Sequence, residues 1–162
     1  MEKKWRKINE GIYTFFVGNE KEGSLSMNTA GGKATAIVGS KQFTIRRTGF
    51  WQSSLEIFDQ DERQVARAYP ETWYGNSMVF EYEGRTYQLK IKSNPLAEWS
   101  ILAEKQAVLS YGLTVDQGKT VVAIHSQAGN LDYLPDFLLW YLFEPIAAEN
   151  TADPDFFLTL AV

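Results

Sequence analysis

Cysteine is absent from the 162 residues, and histidine occurs once, at His125. Disulfides, thiol nucleophiles and cysteine-ligated metals are therefore excluded. With a single imidazole, a zinc site would need an unusual set of carboxylates, so no metal site is expected. A positive excess is lacking as well. Sixteen Lys and Arg stand against 20 Asp and Glu, for a net charge of −4. Proteins whose main partner is nucleic acid carry a basic face, so no nucleic-acid partner is expected. Long apolar runs are missing too. The strongest, Leu134 to Ala148, contains Asp136, Glu144 and two prolines. It falls short of the ~20 mostly apolar residues that a bilayer span requires, and no transmembrane segment is expected. The basic start, Met1 to Lys7, is followed by no apolar core and no small-residue cleavage site. That pattern argues against a signal peptide and makes the cytoplasm the expected location.

What is present is apolar and aromatic: 44% and 14% of the chain. One domain spanning residues 1–162 can bury a substantial core at this length. Short alternating runs dominate. Ile12 to Val17 is the first strand candidate, and a turn-rich stretch from Gly18 to Ser24 is expected after it. Phe43 and Ile45 share one face of Gln42 to Arg46, and Leu55 and Ile57 share one face of Ser54 to Asp59. Asp59-Gln60-Asp61-Glu62 then turns the chain into Arg63 to Tyr69. Met78, Phe80 and Tyr82 lead through Glu83-Gly84 to Tyr87, Leu89 and Ile91, the pattern of a hairpin with a short glycine turn. Residues 97–103, 107–113 and 119–125 complete the series, with Pro70 and Pro95 between runs.

Ten to twelve short strands with one apolar side are most easily accommodated by closing the sheet into an antiparallel barrel. From Phe137 to Phe143 the only polar atoms are the tips of Trp140 and Tyr141. A helix apolar all round must be buried, so this segment is expected to plug the barrel. Asn130 or Asp132 would cap it, and Asp136 would oppose the positive end of its dipole. Pro145 would end or kink it, giving a helix over about residues 133–147. The tail, residues 149–162, would then add a strand or a second short helix.

Catalytic signals are sparse. His125 adjoins Ser126, but neighbours on a strand point to opposite faces and cannot form a nucleophile–base pair. Asp59, Asp61 and Glu62 lack the glycine and the distal glutamate of a calcium loop and read as a solvated hairpin tip. No catalytic, cofactor or metal residue is assigned, and the chain is expected not to be an enzyme. Two pairs of cations stand out, Arg46 with Arg47 at one strand end and Lys90 with Lys92 on the outward face of another strand. Phe50 and Trp51 beside the first pair could rest at an interface.

The run Phe43-Thr44-Ile45-Arg46 through Leu55-Glu56-Ile57-Phe58-Asp59, then Gly84-Arg85-Thr86-Tyr87-Gln88-Leu89 and Trp99-Ser100-Ile101, resembles the tubby C-terminal-like superfamily. Its members include the LURP-one-related proteins and the phospholipid scramblases. The resemblance covers about residues 40–145 and implies a barrel threaded by a hydrophobic helix. It also implies a non-enzymatic binding or adaptor module for anionic membrane lipid or protein. On that reading Arg46, Arg47, Lys90 and Lys92 would bind the lipid. A small hydrophobic-ligand carrier is the alternative. An uncharacterised enzyme would need the Asp59 cluster and His125 to meet in one cleft. The chain departs from the family in carrying residues 149–162 beyond the helix.

Overall fold

In the computed structural model, residues 2–27, 32–72, 75–127 and 132–151 are described, together with the backbone of 157–161. Each strand hydrogen-bonds to the next in the chain. The first six are β1 (Lys3–Asn9), β2 (Ile12–Val17), β3 (Glu20–Ser26), β4 (Lys33–Val38), β5 (Lys41–Thr48) and β6 (Ser54–Phe58). Six more follow: β7 (Gln64–Pro70), β8 (Ser77–Tyr82), β9 (Arg85–Lys92), β10 (Glu98–Ala103), β11 (Gln106–Asp116) and β12 (Lys119–Ser126). These twelve pair antiparallel throughout and curl into a nearly closed barrel. Helix α1 (Leu134–Asn150) then passes through the interior. It leads to β13 (Phe157–Ala161), which pairs parallel to β12 at the seam beside β1. A parallel return needs a crossover, and the helix supplies it.

Alternation sorts the side chains. Tyr13, Phe15 and Val17 on β2, Met78, Phe80 and Tyr82 on β8, and Tyr87 and Leu89 on β9 are all buried. The tight turns use left-handed backbone where the strand twist demands it. Glu83 and Gly84, at φ 52° and 72°, join β8 to β9 in the geometry favoured by two-residue hairpins.

The helix lies where its composition requires. Leu134 to Phe143 are all buried, and Phe137, Leu138, Leu139, Trp140 and Phe143 are completely so. Trp5 stacks on Trp140 at 5.9 Å between ring centroids and meets Phe137 edge-on at 4.8 Å. Tyr13 adds a second edge contact to Trp140 at 5.2 Å. Such pairs contribute on the order of 1 kcal/mol each beyond the area they bury.

Four expectations need correction. The stretch from Gly18 to Ser24 is not mainly turn. A tight turn at Gly18-Asn19 leads straight into β3, whose Gly23 and Leu25 are buried against the helix side of the sheet. The basic start is the first strand, because Trp5 anchors it in the core while its charged neighbours line the outside or reach inward to a partner. Pro70 closes β7 rather than lying between runs. Pro145 does not end the helix, which continues to Asn150. Pro145 is exposed where the helix leaves the barrel, while Ala147, two residues further on, is buried. Thr151 then closes the last turn with its N–H and hydroxyl on the Ala147 carbonyl.

Of the two cap candidates, Asn130 lies outside the described residues. Asp132 accepts the Leu134 N–H at 3.1 Å, the role of a cap just ahead of the helix. Asp136 does more than face the dipole. It is fully buried, with Lys3 Nζ at 3.0 Å and the Tyr111 hydroxyl donating at 2.9 Å.

Candidate binding site at the barrel mouth

Every second hairpin turn of a meander falls at the same end of the barrel. The turns β4–β5, β6–β7 and β8–β9 therefore gather around the point where the chain enters the helix. Between them lies a cavity of about 740 Å³. Its inner wall is continuous with the core: Val38, Phe43 and Leu134 at the floor, with Tyr82 and Tyr133 beside them. Its rim is acidic. Glu22, Asp59, Asp61, Glu83 and Asp132 line it, and Lys41 is the one cation among the lining residues.

Some of these carboxylates have structural tasks. Asp59 accepts the N–H groups of Asp61 and Arg63 at 2.9 and 3.0 Å, which makes the acidic turn self-supporting. Asp132 accepts the Tyr82 hydroxyl as well as the helix N–H. Burial, reinforced by that carboxylate, holds the Tyr82 phenol well above its ordinary titration range. Burial and the nearby Glu22 and Asp136 raise the Tyr133 phenol in the same sense. Both phenols are thus neutral donors at physiological pH. The carboxylates of Glu22 and Asp61 appear in no described hydrogen bond or ion pair of the mouth, whereas that of Glu83 adds a smaller upward push on the Tyr82 phenol.

The four cations expected to bind lipid are not brought together. Arg46 and Arg47 are neighbours on β5 and point to opposite faces. Arg46 lies outside, over the Phe58 ring at 4.8 Å and 3.4 Å from Glu62. It also belongs to an outer ladder of directly paired residues running Lys33, Arg46, Glu56, Arg67 and Glu81 across β4 to β8. Charges alternate along most of that ladder, and Arg67 and Glu81 bond within it at two points. Arg47 turns inward, lies over the Tyr141 ring at 5.2 Å and donates to the Gln52 carbonyl. Lys90 and Lys92 do share an exposed outer face on β9. They line a groove of about 510 Å³ with Ser77, Gln88 and Asn94. Four strand spacings separate them from β5, about 19 Å at roughly 4.8 Å each. Trp51 is 86% exposed in the short turn between β5 and β6, at the opposite end of the barrel from the mouth.

No family model matches the chain, and no solved structure matches it. An alanine–tRNA ligase of Pyrobaculum neutrophilum is similar at 26% identity over 144 residues. The match takes in 86% of this chain and 15% of the ligase. So small a share at so low an identity places the chain in no family.

The acidic mouth was not assigned from sequence. A signal for it existed: in a meander, turn parity alone puts Asp59, Asp61 and Glu83 at one end. The same parity puts the helix entry at that end, since it follows β12. His125 sits on β12 opposite Ser110 and well along the chain from the acidic turn, and it does not line the mouth.

Proposed function

We propose that the protein is a non-catalytic binding module of tubby-like build, with its ligand seat at the barrel mouth. The cavity of about 740 Å³ carries this reading, because it joins an apolar floor to a few convergent polar groups. The rest of the interior is filled by the helix, where Phe137 and Trp140 are completely buried, so a carrier role for the barrel centre is disfavoured. The test is a methyl NMR titration with n-octanol, n-octylammonium and n-octanoate, each below its micellar concentration. Saturable shifts at Val38 and Leu134, with none at the exposed Val115 on the opposite end, are expected for at least one probe. No shift with any of the three overturns the seat.

A second reading keeps the anionic lipid but narrows its contact to the Lys90 and Lys92 groove. Two outward lysines beside Ser77, Gln88 and Asn94 support it, at about 1 kcal/mol per lysine near an anionic surface. Sedimentation with phosphatidylserine vesicles at low salt should then be lost in Lys90→Ala/Lys92→Ala and kept in Arg46→Ala. Equal sedimentation of all three proteins would remove this reading.

A further inference from the structure

We propose that the mouth selects an organic cation: an ammonium or guanidinium group carried on an apolar body. This deepens the reading above and rests on it, since it names the ligand class for the same seat. The argument begins with shape. Val38, Phe43 and Leu134 offer an apolar floor about the size of a short alkyl chain or one aromatic ring, and the rim above them is where a head group would stop.

Charge decides the head group. Five carboxylates line the cavity against one lysine. The positive end of the helix dipole also points to this mouth, but it amounts to about half a charge and is faced by Asp132 and Asp136. The field at the rim is therefore negative. An anionic head group would meet like charges, and a neutral one would gain hydrogen bonds but no attraction of opposite charge.

The spread of the carboxylates excludes a compact ion. Among the described residues, no three histidine, aspartate or glutamate side chains converge closely enough to hold a metal. Dispersed charge suits a diffuse cation, which needs no tight coordination shell. Tyr82 and Tyr133 also line the cavity, and aromatic rings of this kind attract ammonium and guanidinium groups. Lys3 already lies 5.7 Å from the Tyr133 ring centroid, an arrangement within the chain of the contact proposed for the ligand.

The same three probes test this, because n-octylammonium, n-octanol and n-octanoate share a chain and differ in head-group charge. The expected order is octylammonium at least tenfold tighter than octanol, with octanoate weaker than either. Octylammonium affinity should fall several-fold between 20 and 200 mM salt, since the rim carboxylates are solvent-accessible. Glu22→Gln/Glu83→Gln leaves three rim carboxylates against Lys41 and should weaken octylammonium several-fold toward octanol while leaving octanol unchanged. Both substitutions keep the size of rim side chains, Glu83 being one of the groups that act on the Tyr82 phenol, and circular dichroism checks that the fold is kept. Octanol or octanoate binding as tightly as octylammonium overturns the cation proposal while leaving the seat standing. Absence of binding by all three probes overturns both. An octylammonium affinity unchanged in the double variant also overturns the role given to the rim.

Discussion

Lys3 and Asp136 form the contact in which one side chain most clearly controls stability. Their side chains are 12% and 1% exposed, and the carboxylate has Lys3 on one oxygen and the Tyr111 hydroxyl on the other. Trp5 Nε1 in turn donates to the Tyr111 oxygen at 2.8 Å, so the first strand, the eleventh and the helix meet at one acid. Burial pushes the Asp136 carboxyl above its usual range, against the downward pull of Lys3 and Tyr111, with Asp132 adding a smaller upward push. A carboxyl whose folded pKa is raised contributes stability that is fully present below the unfolded value, about 3.9, and is lost as pH rises through the folded value. Lys3→Ala removes the main charge holding that folded value down, so the loss grows. It should cost about 3 kcal/mol at pH 7, the order seen when one partner of a buried pair is removed. The gap to wild type should narrow as pH falls from 7 toward 4, because protonating Asp136 removes the charge that Lys3 offsets. Urea midpoints at the two pH values check this. A gap of equal size at both would mean that Lys3 contributes only packing. None of this was legible in the sequence, where Lys3 read as part of a basic start and Asp136 as a dipole partner.

At the scale of elements, the helix and most strands were legible because each rests on a local pattern. Phe137 to Phe143 has no polar face on any wheel, and Met78, Phe80 and Tyr82 alternate without exception. The misses came where tertiary contacts override local pattern. β3 contains Glu20, Lys21, Glu22 and Gly23 and looks like a turn, yet Gly23 is what lets the helix approach. A Cβ built there would lie 2.0 Å from the Ile37 carbonyl oxygen and 2.8 Å from the Phe137 ring. The backbone oxygen cannot move aside cheaply. Gly23→Ala should therefore destabilise by about 2 kcal/mol, the range for overpacking a close contact, and shift the Phe137 ring resonances. A melting temperature equal to wild type would show that the strand can bulge away. Pro145 marks the opposite case, a residue the helix tolerates because it is exposed at the exit. Pro145→Ala restores an N–H facing the Tyr141 carbonyl and should raise stability by about 1 kcal/mol, the net worth of one such bond, read as a higher urea midpoint.

For the whole molecule, the open matter is the seam. The twelve-strand meander leaves β1 and β12 as its two edges, and β13 lies between them, parallel to β12. Sequence pattern indicated that residues 155–162 were apolar enough to be an added strand or a second short helix. It gave no direction for the strand, since strand direction follows from the helix having crossed the barrel first. Paired this way, β13 occupies an edge that would otherwise present a row of unpaired N–H and C=O groups. Its five residues pair with β12 on one side and lie beside β1 on the other. The consequence can be measured by stopping the chain after Thr151. The helix is held by the aromatic cluster of Trp5, Tyr13, Phe15 and Trp140, so helical circular dichroism and near-ultraviolet aromatic bands should persist. The exposed β12 edge should then pair between molecules. Sedimentation equilibrium from 5 to 200 µM should show the shortened chain growing in mass with concentration while residues 1–162 stay at one mass. If instead the shortened chain stays at a single monomer mass, β1 and β12 have closed on each other directly, an outcome their antiparallel orientation permits, and β13 would then be a lining strand with no role in guarding the edge.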